Sequence, residues 1–241
     1  MKKIVILGAG ESGKGSAILA RKNSYEVFVS DNGLIDMETK KKFNGLNIDF
    51  EENSHELAKC TDIDFVIKSP GISDDLEIID FYRNNGIKVI SEIEFAFNFS
   101  KSKIIGITGS NGKTTTTTLV HKLISDANIS CSISGNIGNS FSKVCEDSVQ
   151  YSTVELSSFQ LDGVEKFRPH IAILTGISPD HLDRYKNYNA YIEAKFKITK
   201  NQSVNDYLIY NSDCYETNKY IKTNNINSIL LPFSIKKKVD Q

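Results

Sequence analysis

The feature that most restricts this chain is Ile104-Ile-Gly-Ile-Thr-Gly-Ser-Asn-Gly-Lys-Thr-Thr-Thr116, where a short β-branched run breaks into a small-residue loop. A buried strand, a tight loop and a helix N-terminus in that order specify an α/β unit that can cradle the phosphates of a nucleoside triphosphate. Small Gly109, Ser110, Asn111 and Gly112 let backbone N–H groups approach phosphate oxygens. Lys113 supplies a point charge, Thr114 a hydroxyl for Mg2+, and Thr115 and Thr116 complete the candidate ATP-binding set. The position five before Gly112 is Ile107 rather than glycine, so the loop is a variant of the common phosphate-loop pattern.

A second glycine cluster, Gly8-Ala-Gly-Glu-Ser-Gly13-Lys14, does satisfy that spacing, but Gly15 follows the lysine where a hydroxyl is needed. The same residues spell G-x-G-x-x-G after the strand-like Ile4-Val-Ile-Leu7, and Asp31 ends Glu26-Val-Phe-Val-Ser-Asp31 about twenty residues on. That is the layout of a Rossmann-type dinucleotide site, so a nicotinamide cofactor is one open alternative. The glycines by themselves require only a tight strand-to-helix turn.

Apolar runs at Ile4–Leu7, Val27–Val29, Phe65–Ile67 and Val89–Ile90 alternate with helical or turn-rich segments, and the pattern restarts after polar Asn98–Lys103. Residues 1–100 are therefore expected to form a Rossmann-like α/β domain with mainly parallel strands, and residues 101–241 a second α/β unit around the phosphate loop. Within it, strands are expected at Ser130–Ile133, Tyr151–Leu156, Ile171–Leu174, Leu208–Tyr210 and Ile229–Leu231, and helices at Lys113–Ala127 and Tyr188–Lys200. With 29 basic and 30 acidic side chains in 241 residues there is no bulk positive field, which argues against nucleic-acid binding. The four cysteines form no C-x-x-C pair, no apolar run has the length of a membrane span, and the N-terminus enters a strand directly. A cytoplasmic location without membrane insertion is the expectation.

Three more residues carry candidate chemistry. Glu155 ends the strand-like Tyr151-Ser-Thr-Val-Glu155, where parallel sheets form their ligand crevice, so it is either a Mg2+ ligand or a solvated strand-end acid. Ser178-Pro-Asp-His181-Leu-Asp183 places an imidazole and two carboxylates in one turn at the same edge. On the helix Tyr188–Ile198, Lys195 shares an apolar stripe with Tyr191 and Ile198. It either snorkels or is buried with a lowered pKa, and a neutral amine could capture CO2 as a carbamate with hard oxygens for Mg2+. No credible nucleophile–base pair is present.

Thr108-Gly-Ser-Asn-Gly-Lys-Thr114, Gly135-Asn-Ile-Gly138, Glu155-Leu-Ser-Ser-Phe-Gln-Leu161, Asp180-His-Leu-Asp-Arg-Tyr185 and Tyr191-Ile-Glu-Ala-Lys195 occur in this order, and together they resemble the Mur ligases. Ser69-Pro-Gly-Ile72 and Ser91-Glu-Ile-Glu94 extend the resemblance to the N-terminal domain, and the second and third segments resemble the D-glutamate-adding branch. The resemblance implies an N-terminal UDP-substrate domain, with Gly8, Gly10, Glu11, Ser12, Gly13, Asp31, Asn32, Ser69 and Gly71 at the uridine nucleotide and Asn136 at substrate and phosphate. It implies Lys113 on the β- and γ-phosphates, Thr114 and Glu155 on a first Mg2+, and His181 with carbamylated Lys195 around a second.

The implied substrates are ATP, UDP-N-acetylmuramoyl-L-alanine and D-glutamate, joined through an acyl phosphate in peptidoglycan precursor synthesis, by an enzyme that is monomeric at full length. The chain would then be the N-terminal domain and a partial central ATPase domain, without the C-terminal domain, and would not ligate D-glutamate alone. Gly176 departs from the asparagine the family often carries there. Another Mur ligase, a folylpolyglutamate synthase-like ligase and a non-catalytic UDP-sugar-binding module are the alternatives.

Overall fold

The computed structural model describes residues 1–181 and 183–239. Leu182, inside the Asp180–Tyr185 motif, and the last two residues of the expected second domain lie outside the described residues. The chain divides into two compact units, the first made of residues 1–100 with 140–146 and 163–165, the second of 101–139, 147–162 and the residues from 166 on.

The first unit runs β1 (Lys3–Leu7), α1 (Glu11–Lys22), β2 (Glu26–Asp31), α2 (Met37–Gly45), β3 (Asp49–Glu52), β4 (Phe65–Lys68), α3 (Glu77–Asn84), β5 (Lys88–Ser91) and α4 (Glu92–Phe97). Its strands form one parallel sheet in the order β3-β2-β1-β4-β5. The Ile4–Leu7 run is almost completely buried because β1 is the central strand and is covered on both faces. Val5 and Leu7 pack with Val66, Ile78, Ile79 and Tyr82 in the core of this unit. The crossover from β3 to β4 reverses the direction in which strands are added, and this leaves a crevice at the carboxyl ends of β1 and β4, where the order switches.

The second unit opens with β6 (Lys103–Thr108), α5 (Lys113–Asp126) and β7 (Cys131–Gly135); the short α6 (Phe141–Val144) that follows is grouped with the first unit. It continues with β8 (Tyr151–Glu155), α7 (Ser158–Asp162), β9 (Ile171–Leu174), α8 (Tyr188–Phe196), β10 (Tyr207–Asn211), α9 (Tyr215–Thr223) and β11 (Ile229–Phe233). All six strands are parallel, ordered β11-β10-β9-β6-β8-β7. The strand that feeds the glycine loop is thus central, with Ile105 and Ile107 in the core beside Ile173. The ends of β8 and β9 lie on either side of that loop. Among the described residues no helix is long and apolar enough to cross a membrane.

Candidate nucleotide and metal site

β6 ends at Thr108, and the loop to α5 must turn sharply enough to aim its N–H groups along the helix axis. Gly109 does this at φ +149, where an added Cβ would lie 1.9 Å from Thr175 Oγ1. The Thr175 hydroxyl donates to the Asn111 carbonyl at 2.7 Å, and the Ser110 N–H donates to the Gly176 carbonyl at 2.9 Å, so the end of β9 supports the loop from below. Gly176 itself has φ +144. Glycine adopts that conformation without the strain asparagine would carry, and the departure noted in the sequence therefore suits the local geometry.

Lys113 opens α5 and donates from Nζ to the carbonyls of Gly109 and Ser110 at 3.1 and 3.0 Å, which centres the ammonium under the loop. Thr114 Oγ1 donates to Glu155 Oε2 at 2.8 Å, and Asn136 Nδ2 donates to Glu155 Oε1 at 3.0 Å. Glu155 is 1% exposed, so it is a buried carboxylate fixed by two neighbours and not a solvated strand-end acid. The Thr114 hydroxyl and the Glu155 carboxylate are hard oxygen donors converging at a helix N-terminus, a donor set that fits Mg2+. An open cavity of about 440 Å3 beside Ser110 and Asn111 is lined by Thr175, Ile177, Asn211 and Cys214.

Lys195 is 2% exposed, its Nζ 4.9 Å from the Tyr191 ring centroid. Burial, and then the nearby Lys113 ammonium, push its amine down to about 7 against the opposing pull of Asp180 and Asp162. The snorkelling alternative is thereby overturned. His181 packs against the same Tyr191 ring at 6.3 Å and against Phe159 at 5.0 Å, so His181 and Lys195 flank one aromatic side chain. The expected grouping of an imidazole with both flanking carboxylates is not formed. Asp180 lies 3.5 Å from His181, but among the described residues no three His, Cys, Asp or Glu side chains gather as a metal would need. Unmodified Lys195 offers no oxygen ligand; it fits a second Mg2+ only once its nitrogen bears a carboxylate.

In the first unit, Gly8 (φ +91) turns the chain out of β1, and a Cβ there would meet Ser69 Oγ at 2.8 Å. Asp31 accepts from the Ala9 N–H at 2.6 Å and from the Gly33 N–H at 2.7 Å, fastening the first glycine turn to the end of β2. Gly8, Gly13, Asp31 and Ser69 are thus brought to one edge, whereas Gly10, Glu11, Asn32 and Gly71 are exposed around it. Glu11 pairs with Lys14 at 3.0 Å, which occupies the lysine of the second phosphate-loop look-alike.

Sequence reasoning placed Ser110 in the phosphate loop but missed its role as a support, and it missed a second support. Ser110 is a buried hub whose Oγ donates to the Ser178 carbonyl, accepts from the Ser178 N–H and meets Tyr191 Oη at 3.0 Å. That second support is Thr175, under Gly109. Its place at the end of a predicted strand next to the loop strand was the one available signal.

The family model of the Mur ligase middle domain matches residues 107–241, and that of the MurD N-terminal domain matches residues 3–78. The chain is 52% identical over 241 residues to the UDP-N-acetylmuramoylalanine–D-glutamate ligase of Christiangramia forsetii, covering 99% of this chain and 54% of that protein. It is 44% identical to the ligase of the same name from Bacteroides fragilis, covering 97% and 53%. The chain thus spans about half the length of the curated relatives it matches. Among solved structures, the UDP-N-acetylmuramate:L-alanyl-gamma-D-glutamyl-meso-diaminopimelate ligase of Neisseria meningitides superposes with a TM-score of 0.66 at 17% identity, covering 97% of this chain and 78% of that one. The UDP-N-acetylmuramate-alanine ligase of Thermotoga maritima gives 0.57 at 23% identity, covering 98% and 53%. These two share the fold.

Proposed function

Because the chain belongs to the Mur ligase family, whose middle-domain model matches more than half of it, we propose that it is the uridine-nucleotide- and ATP-binding part of a ligase that joins D-glutamate to UDP-N-acetylmuramoyl-L-alanine. The observation that carries this reading is the bonded set Thr114–Glu155–Asn136 beside a glycine loop whose centre holds the Lys113 ammonium. The γ-phosphoryl group of ATP passes to the substrate carboxylate, giving an acyl phosphate and ADP. The D-glutamate amine then attacks the acyl carbon, phosphate leaves, and an amide forms. Two anions must approach in the first step, and Lys113 with the N–H groups of the loop opposes their repulsion.

Thr114 and Glu155 would hold a Mg2+, and His181 with carbamylated Lys195 a second. Bound there, the metals would neutralise phosphate charge. Lys195 is suited to carbamylation because a buried amine with a pKa of about 7 is largely neutral at pH 8. Its nitrogen attacks CO2 and releases one proton, leaving an N-carboxylate. In the first unit, the edge built by Gly8, Asp31 and Ser69 takes the uridine diphosphate, a reading that the match with the MurD N-terminal domain supports over a dinucleotide site.

Isothermal titration with UDP-N-acetylmuramoyl-L-alanine, Mg2+–ATP and NADH tests the reading. The first two should bind; tight NADH binding without preference for the uridine compound would overturn it. For the lysine, 13C-bicarbonate at pH 8 should give a carbamate carbonyl resonance that vanishes in Lys195→Ala, and a spectrum identical in both proteins would rule carbamylation out.

A further inference from the structure

Asp162 closes α7 and has no part in the roles assigned so far, yet its two oxygens are both engaged at short range. Oδ2 accepts from Tyr185 Oη at 2.6 Å and Oδ1 accepts from Lys197 Nζ at 2.6 Å. The partners come from different segments. Tyr185 lies on the β9–α8 connection four residues after His181, and Lys197 follows α8 two residues after Lys195. α7 itself starts three residues beyond Glu155. One carboxylate therefore ties together the three segments that carry Glu155, His181 and Lys195.

The connection needs such an anchor. Among its described residues from 178 to 187 there is no helix or strand, and His181 has φ +51. Its backbone contributes little to its own placement, so side chains must fix it. Tyr185 does so through its ring, stacking on Phe159 at 5.9 Å with planes 8° apart and meeting Tyr191 edge-on at 5.5 Å. Phe159 also carries the Arg184 guanidinium at 4.4 Å. These apolar contacts leave the ring free to slide, whereas the hydroxyl bond to Asp162 fixes its position along the stack.

We infer that Asp162 is a positioning residue, which sets the pose of the His181 connection against the helix bearing Lys195 by holding Tyr185 and Lys197 at once. Its bearing on the metal–nucleotide site rests on the function proposed above; its bearing on the His181 pose does not.

The experiment uses residues 1–241 with Asp162→Ala, Tyr185→Phe, the double variant and Asp162→Asn. In the ligand-free proteins, amide exchange over 180–187 should rise about fivefold in either single variant, the change expected for one lost hydrogen bond. The His181 imidazole resonances should shift, while exchange over 104–116 stays at the wild-type rate. The double variant should move no further than Asp162→Ala. Asp162→Asn, which can accept from Lys197 and donate to Tyr185, should return both readouts most of the way. Mn2+–ATP affinity should fall roughly tenfold to a hundredfold in Asp162→Ala, as for other residues that orient metal ligands. Unchanged exchange and His181 resonances in Tyr185→Phe and Asp162→Ala would overturn the inference. If those move while the wild-type chain fails to bind Mn2+–ATP, the pose stands and the functional reading falls.

Discussion

A single missing carbon shapes the phosphate loop at Gly109, where φ is +149 and the space a side chain would need is filled by Thr175 Oγ1 at 1.9 Å. Gly109→Ala therefore faces two separate penalties, the backbone conformation and the clash, together on the order of 1–3 kcal/mol or more. We expect a lower unfolding midpoint and loss of nucleotide binding. Adding Thr175→Ala should recover part of the stability, because it removes the clash and leaves the dihedral strain. A Gly109→Ala protein as stable as the wild type would show that the loop can relax away from Thr175. Around Lys195 the deciding quantity is burial rather than charge pairing. Among the described residues no carboxylate bonds its amine, and the aromatic face of Tyr191 takes the place a counter-ion would fill.

Elements with an apolar run were legible in the sequence; those formed by pairing or by polar side chains were not. The Asp49–Glu52 strand has no hydrophobic pattern and is recruited by β2, with Glu51 accepting from the Ser30 hydroxyl and from the N–H groups of Leu57 and Ala58. The helix expected over Tyr188–Lys200 stops at Phe196 and tightens into a 3₁₀ turn over Lys197–Thr199, where the Thr199 hydroxyl donates to the Phe196 carbonyl. Of the site, Lys113, Thr114, Asn136 and Glu155 were readable because each lies at a strand end or helix start. Ser110, Thr175 and Asp162 act through partners 68, 64 and 23 residues away, a separation that no local pattern encodes. Strand β11 carries the prediction at this scale. It is the sheet edge among the described residues, with Ile229, Leu230 and Phe233 all more than one-third exposed. An apolar edge of this kind pairs with other chains. Sedimentation velocity should show association that rises with concentration and falls in Leu230→Lys; a chain monomeric at all concentrations would remove the edge as a cause.

Each of the two units contains a buried ionisable group with a displaced pKa, and the two act on stability in opposite pH windows. In the first unit, burial raises Glu92 from 4.5 to about 7, with the Ser142 N–H donated to Oε1 opposing the rise. Its Oε2 has no partner among the described residues. Between pH 4.5 and 7 the folded state holds this proton and the unfolded chain does not, so stability falls as pH rises through that window, by up to about 3 kcal/mol. In the second unit Lys195 drops from 10.5 to about 7. Between pH 7 and 10.5 the unfolded chain holds the proton and the folded state does not, so stability rises with pH there, at up to ~1.4 kcal/mol per unit. Hydrogen exchange read separately for each unit in CO2-free buffer should therefore show the first unit loosening from pH 5 to 7 and the second tightening from pH 7 to 9. Glu92→Gln keeps an acceptor for Ser142 without the charge and should flatten the first slope, leaving that unit more stable than wild type at pH 8. Lys195→Met keeps most of the volume and should flatten the second. Glu92 lies in the first unit and Lys195 in the second, so each substitution should leave the other slope intact; a wild-type profile with neither limb would mean that the two groups are hydrated in solution.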